Sequence, residues 1–214
     1  MPYKYIFFDV ANTLLYKPEL FIKINQVLIK HGYQVEIKYL KKVHKLLSET
    51  ITFPDKTSKD FYHQFNAELL YVIGILPTNK LLEDIFLACT YMEWHPFADT
   101  DFLNQISIPI GVISNWDTSL ESKLKSYFNC DFFAIYGSQK EGLKKPSLDF
   151  YKKAIEKLEC SPNEILYVGD SIKLDTEPAR KLGIEAILVD RENVFPYYKE
   201  SKINSLHQLS TFLD

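Results

Sequence analysis

The residues of this 214-residue chain that are best suited to chemistry are carboxylates, a hydroxyl and an amine. They are concentrated in four short segments, each directly after an apolar run or in the loop beyond one. The segments are residues 9–14, 114–117, 142–146 and 169–175. Between them they carry Asp9, Ser114, Lys145 and Asp170.

These residue types are suited to phosphoryl transfer. Carboxylates that converge on one place repel one another and favour a bound cation. Oxygen ligands without a Cys/His cluster favour magnesium over zinc. A carboxylate beside magnesium can attack a phosphoryl group, and a hydroxyl and an ammonium can stabilise the charge in transit. Each segment alone is weak evidence for this chemistry, because Ser-Asn is commonly a helix cap and Gly-Asp-Ser is commonly a turn. The order of the four segments therefore carries the prediction.

A parallel sheet would bring these segments together. Apolar runs typical of buried strands lie at residues 5–8, 108–113, 132–136, 165–168 and 186–189. Helical patterns lie between the later runs, at residues 119–128, 148–158 and 178–182. This alternation predicts an α/β fold, a doubly wound Rossmann-like parallel sheet, in which ligands bind beyond the carboxyl ends of the strands.

The pattern changes between the first strand and the second. Amphipathic helical segments lie at residues 20–30, 37–49, 59–73 and 81–91. Gly32, Pro54, Gly74 and Pro77 separate them. We therefore expect a helical domain of residues 16–94, inserted into an α/β core domain of residues 1–15 and 95–214.

Composition excludes several other classes of protein. The net charge is -3 and basic residues do not cluster, so we expect no nucleic-acid partner. The longest apolar stretch, residues 69–76, is too short to cross a bilayer, so we expect no membrane partner. The three cysteines lie far apart, which favours reduced thiols over disulfides or zinc ligands. With no signal peptide evident, we expect a cytoplasmic protein. The oligomeric state is left open.

The four segments resemble the motifs of the haloacid-dehalogenase superfamily. Those motifs are D-x-D-x-T, a Ser or Thr after the second strand, a Lys often within G-x-x-K-P, and G-D-x-x-x-x-D. The matching residues are Asp9, Thr13, Ser114, Lys145, Asp170 and Asp175. The resemblance runs from about residue 4 to residue 191. The helical insert is similar to the cap domain that this family carries between its first two motifs.

The resemblance implies a magnesium-dependent hydrolase, a phosphatase that acts on a small phosphorylated metabolite through an aspartyl-phosphate intermediate. Asp9 would be the nucleophile, with Ser114 and Lys145 holding the transferring group. Thr13, which would orient the first motif, and Asn115 would be substrate-binding residues. The implied magnesium ligands are Asp9, the main-chain carbonyl of Ala11, Asp170 and Asp175. The cap would exclude water and select the substrate.

One residue departs from the family pattern. Phosphatases of the family carry a second Asp at the position of Ala11. That side chain protonates the leaving group and later activates water. Such assistance contributes about 10²–10⁴-fold. Water, Asn12 or a cap residue would then have to replace it, and substrates with acidic leaving groups would react best.

Ala11 leaves other functions open. Phosphonatases of the family resemble this chain in having Ala there, and they use a cap lysine. Haloacid dehalogenases also lack the second Asp but need no magnesium, whereas Gly169-Asp170-Ser171 with Asp175 looks like the metal-binding form of the motif. A non-catalytic domain that binds a phosphorylated ligand or regulates a partner is the alternative from another class.

Overall fold

The computed structural model describes residues 3–54 and 57–213, which form two compact units. One unit is Met1–Tyr16 with Pro96–Asp214, and the other is Lys17–His95. Residues 1, 2 and 214 of the predicted core and residues 55 and 56 of the predicted helical domain lie outside the described residues. The unit boundaries differ by one residue from the domain boundaries expected from the sequence. The role of the helical unit as a cap stays a prediction.

The first unit is built on a six-stranded parallel sheet with the order β5-β4-β1-β6-β7-β8. Its strands are β1 Tyr5–Phe8, β4 Ile110–Ser114, β5 Phe132–Gly137, β6 Ile165–Gly169, β7 Glu185–Val189 and β8 Lys202–Ile203. Two further short strands, β2 Leu15–Tyr16 and β3 His95–Pro96, pair separately. The α/β fold class predicted from the sequence is confirmed.

Strand β1 occupies the middle of this sheet, between β4 and β6. Phe8, its last residue, is in register with Val112 of β4 and Val168 of β6. The strands are apolar because both of their faces are covered, and all residues of β4 and β6 are buried. The carboxyl ends of the three strands therefore lie side by side, and the residues that follow them converge.

Short helices cover the sheet. They are α5 Leu120–Tyr127, α6 Ser138–Glu141, α7 Leu148–Ile155, α8 Glu177–Lys181 and α9 Ser210–Leu213, with 3-10 turns at Ala98–Gln105, Pro162–Glu164 and Leu206–Leu209 and a π-helical turn at Ile172–Thr176. Phe150 and Tyr151 of α7 pack with Phe7, Tyr167 and Ala179 in one core cluster. Two of its members, Tyr151 and Tyr167, also contact the residues of the site described below.

The described residues of the second unit form four helices, α1 Leu20–Lys30, α2 Ile37–Thr50, α3 Lys59–Val72 and α4 Asn79–Ala88. Their apolar faces form one cluster that includes Leu28, Leu40, Leu69 and Ile85. Helix α4 begins two residues before the predicted segment because the Thr78 side chain accepts a hydrogen bond from Leu81 N at 3.2 Å and caps it. No helix in the described part of the chain combines the length and apolar character that a bilayer crossing requires.

His44 of α2 makes the stability of the helical unit depend on pH. Its ring packs edge-on against Phe21 and Phe65, with centroids 5.2 and 4.9 Å away. Burial, and then the charge of Lys45, lowers the pKa of His44 from 6.5 to about 4. Between these two pKa values the unfolded chain binds a proton at His44 and the folded chain does not. The free energy of unfolding therefore falls as the pH drops from about 6.5 toward about 4.

We expect the chain to lose about 2 kcal/mol of stability between about pH 7 and about pH 5 through this residue. A His44→Leu variant has no proton to bind and should lose correspondingly less over the same interval. Urea unfolding of both proteins at the two pH values measures the difference. Equal losses in the two proteins would show that His44 is not the titrating group.

Candidate active site

The site residues predicted in the four segments lie together at the carboxyl ends of the central strands. Asp9 follows β1, Ser114 ends β4 and Asp170 follows β6. Lys145 reaches the same place from the loop between α6 and α7, and Asp175 from the π-helical turn. All five side chains are buried. Burial of so many ionisable groups is costly unless each is hydrogen-bonded or paired, so their contacts define the site.

Asp9 is held by three side chains. Its Oδ1 accepts hydrogen bonds from Ser114 Oγ at 3.1 Å and from Lys145 Nζ at 2.7 Å. Its Oδ2 accepts one from Thr13 Oγ1 at 3.2 Å. The carboxylate is therefore fixed in orientation, and two of its donors are groups that can also bind oxygens of a transferring group.

Lys145 bridges two carboxylates. Besides Asp9, its Nζ donates to Asp175 Oδ1 at 2.6 Å and to the Tyr167 hydroxyl at 3.3 Å. Burial alone would lower the pKa of Lys145, but the charges of Asp175 and Asp9 outweigh it and raise the pKa above its ordinary value. Lys145 is therefore a fixed positive charge at neutral pH.

Asn115 holds the main chain of Lys145. Its Nδ2 donates to the Lys145 carbonyl at 3.1 Å, and its Oδ1 accepts from the Lys145 N–H at 2.8 Å. Both polar atoms of the amide are thus engaged, and Thr13 is fully buried against Asp9. The structure engages both side chains in positioning Lys145 and Asp9, and the contact with substrate expected of Asn115 and Thr13 stays a prediction.

Asp175 is placed by the turn that carries it. Its Oδ2 accepts from the Ser171 N–H at 2.9 Å, and its Oδ1 lies 3.1 Å from the Tyr167 hydroxyl. Gly169 makes room for it, since a Cβ at that position would lie 2.4 Å from the Asp175 Cγ. Glycine is therefore required at the end of β6 by close packing against the Asp175 side chain.

The three carboxylates form an oxygen donor set. One oxygen atom from each of Asp9, Asp170 and Asp175 lies within 4.8 Å of the other two. Burial raises the pKa of Asp175 to about 7; Lys145 opposes that rise, and the charges of Asp9 and Asp170 add to it. A hard divalent cation fits a donor set made up of carboxylate oxygens. Ala11, in the loop after β1, can offer only its main-chain carbonyl.

Two tyrosines of the site were not predicted. The Tyr167 hydroxyl accepts from Lys145 and lies 3.0 Å from the Ile113 carbonyl, to which it can donate. The Tyr151 hydroxyl donates to the Leu174 carbonyl in the π-helical turn. Tyr167 lies in the run predicted as a buried strand, and Tyr151 lies in a predicted helical segment. The available signal was the hydroxyl itself, because a buried tyrosine needs a hydrogen-bond partner.

The sequence matches a known family over most of its length. Residues 6–189 match haloacid dehalogenase-like hydrolases. A glyceraldehyde 3-phosphate phosphatase from Methanothermobacter thermautotrophicus is 24% identical over 88% of this chain and 86% of the relative. One of the same name from Methanocaldococcus jannaschii is 27% identical, but the match spans only 50% of each protein.

Solved structures share the fold at low sequence identity. A HAD-hydrolase from Bacillus subtilis, determined bound to magnesium, has a TM-score of 0.65 at 18% identity, covering 99% of this chain and 98% of that one. A HAD phosphatase from Thermococcus onnurineus has a TM-score of 0.56 at 20% identity, covering 98% and 97%. At these identities the likeness concerns the fold. Because the family match extends from β1 to the end of β7, this chain belongs to the haloacid dehalogenase-like hydrolases.

Proposed function

We propose that this hydrolase is a magnesium-dependent phosphatase of small phosphorylated metabolites, with Asp9 as the nucleophile. The proposal rests on the burial and the contacts of Asp9. Its carboxylate is buried and oriented, lies beside Asp170 and Asp175, and is bonded to Ser114 and Lys145. These are the groups that phosphoryl transfer to a carboxylate requires.

Asp9, Asp170 and Asp175 would hold magnesium, together with the main-chain carbonyl of Ala11. The donor set fits because it consists of oxygens alone, the ligands that magnesium prefers. Bound there, the cation would neutralise charge on the phosphoryl oxygens and on Asp9. Ser114 and Lys145 would stabilise the transferring group from the protein side, since both already donate to the Asp9 oxygen.

The reaction proceeds in two displacements. An Asp9 oxygen forms a bond to phosphorus while the bond from phosphorus to the leaving oxygen breaks. Water then attacks the phosphorus of the aspartyl-phosphate, which releases inorganic phosphate and restores the Asp9 carboxylate. The Lys145 ammonium is bonded to both Asp9 and Asp175 and would supply a positive charge beside the transferring group.

Ala11 limits the first step. No carboxylic acid at this position protonates the leaving oxygen, so substrates whose leaving group is stable as an anion should react fastest. Aryl and acyl phosphates are of this kind, whereas alkyl phosphates are not. The relatives named as glyceraldehyde 3-phosphate phosphatases support a small phosphorylated substrate and make that compound one to include in a test. Ala11 also favours the second candidate, a non-catalytic domain that binds a phosphorylated ligand.

Phosphate release tests these two functions against each other. We expect release that depends on magnesium, is abolished by a chelator, and is faster with an aryl phosphate than with glyceraldehyde 3-phosphate or other alkyl phosphates. The same protein is titrated with magnesium and a phosphate mimic such as beryllofluoride. Binding of both without release from any ester would contradict the phosphatase proposal and support the binding domain.

A further inference from the structure

Arg191 connects the loop after β7 to the loop that follows the nucleophile. Its Nη1 donates to the Asn12 carbonyl at 3.2 Å, and its Nη2 donates to the Thr13 carbonyl at 3.0 Å. Strand β6 separates β7 from β1 in the sheet, so neither carbonyl reaches Arg191 through strand pairing. The guanidinium therefore ties together two loops that the sheet leaves apart.

The position of the guanidinium is fixed by a second set of contacts. Its Nη2 lies 2.9 and 3.1 Å from the two carboxylate oxygens of Asp99, and its Cζ lies 3.9 Å from the centre of the Phe97 ring. Asp99 also accepts from the Leu206 N–H at 2.9 Å. Phe97 in turn stacks on Tyr16 at 4.2 Å. A planar cation held by a carboxylate and an aromatic face has little freedom to move.

The loop that carries Arg191 is itself well anchored. The buried carboxylate of Asp190 accepts from the N–H groups of Val194 at 2.7 Å and Phe195 at 3.0 Å. The Asp190 N–H donates to the Ile203 carbonyl at 2.8 Å. Arg191 therefore follows a residue that is hydrogen-bonded both to its own turn and to β8.

The loop after Asp9 needs such support. Asn12 has a φ of 61°, in the left-handed region, which residues other than glycine adopt uncommonly. Its N–H donates to the Leu15 carbonyl at 2.6 Å, which closes a tight turn. The peptide joining Ala11 to Asn12 lies within this turn. The hydrogen bond to Leu15 holds this peptide directly, and Arg191 holds the two peptides that follow it, so both sets of contacts bear on the direction of the Ala11 carbonyl.

We propose that Arg191 is a positioning residue of the active site. By binding the Asn12 and Thr13 carbonyls it orients the Ala11 carbonyl as a magnesium ligand and the Thr13 hydroxyl against Asp9. It touches neither substrate nor metal itself. This inference rests on the proposed function, because it assigns Arg191 a role in magnesium affinity.

Magnesium titration of Arg191→Ala by calorimetry, without substrate, tests the role directly. We expect the Kd for magnesium to rise about 10- to 100-fold, as when residues that orient metal ligands are lost. Arg180→Ala is the matched control. Arg180 also binds two carboxylates, those of Glu185 and Glu200, and a carbonyl, that of Ala186, but away from the nucleophile loop. Its Kd should stay within about twofold of the wild-type value, well below the effect expected at Arg191.

Arg191→Lys provides a second variant if the alanine variant fails to fold. One ammonium cannot reproduce the planar fork, so its Kd should lie between those of the wild type and Arg191→Ala. Equal Kd values in folded Arg191→Ala and Arg180→Ala would overturn the positioning role while leaving the phosphatase proposal intact. Where Arg191→Ala does not fold, a wild-type Kd in Arg191→Lys would do the same. A wild-type protein that binds no magnesium would overturn both.

Discussion

Asp9→Asn is expected to lower phosphate release by at least about 10⁴-fold, the order of loss seen when a catalytic nucleophile is removed. An amide oxygen is a far weaker nucleophile than a carboxylate, and it cannot form the aspartyl-phosphate. Single-turnover hydrolysis of an aryl phosphate measures the loss without interference from product release.

The asparagine introduced by this substitution should fit the site without disturbing the fold. Its oxygen can accept from Ser114 and Lys145 as Asp9 Oδ1 does, and its nitrogen can donate to a lone pair of Thr13 Oγ1 once the hydroxyl hydrogen of Thr13 turns away. Lys145 keeps its partner Asp175. The variant should therefore show a native circular dichroism spectrum and cooperative unfolding.

A matched substitution separates loss of the nucleophile from loss of negative charge. Asp117 lies on the segment after β4, where its Oδ1 accepts from the N–H of Ser119 rather than joining the carboxylate set. Asp117→Asn should keep most of the activity. Turnover in Asp9→Asn above about 1% of the wild-type rate would mean that another group attacks phosphorus.

The sequence predicted the strands on which the site depends because those strands are buried on both faces. Strand β1 was predicted to the residue, and β6 and β7 each differ by one residue at one end. Strand β4 begins at Ile110 rather than at residue 108. Pro109 has no N–H to donate, and its carbonyl accepts from the Ile6 N–H at 3.1 Å at the start of the ladder.

Elements without a periodic signal were missed. Strands β2, β3 and β8 have two residues each, too few for alternation to register. The π-helical turn that places Asp175 was also not predicted, although the residue itself was, because its spacing from Asp170 matches the family motif. Local pattern thus identified the acid but not the backbone conformation that positions it.

The supporting residues of the site depend on contacts between distant parts of the chain. Arg191 and Asn12 lie 179 positions apart, and Ser114 reaches Asp9 across 105. Ser114 was found because it follows a predicted strand whose end must lie near that of β1. Arg191 follows a predicted strand too, but an arginine in a loop is usually solvated. Only the folded arrangement of Asp99 and Phe97 distinguishes it.

Ala11→Asp is expected to raise the hydrolysis of alkyl phosphates by about 10²–10⁴-fold, the usual contribution of general acid–base catalysis. The new carboxylic acid would donate a proton to the leaving oxygen and then accept one from the attacking water. Aryl phosphates should gain much less, because their leaving groups need no proton. The ratio of the two rates should therefore shift toward alkyl substrates, and steady-state kcat/KM on matched esters measures that ratio.

The position can accept the larger side chain because Ala11 is only partly buried, in contrast to its neighbour Val10. Ala11→Asn is the control, since it has the same shape but no acidic proton. A gain with Asp and none with Asn would show that the scaffold of Asp9, Ser114 and Lys145 is competent and that only the acid is absent. No gain on any ester, in a variant that still binds magnesium, would mean that this site serves another reaction or binding alone.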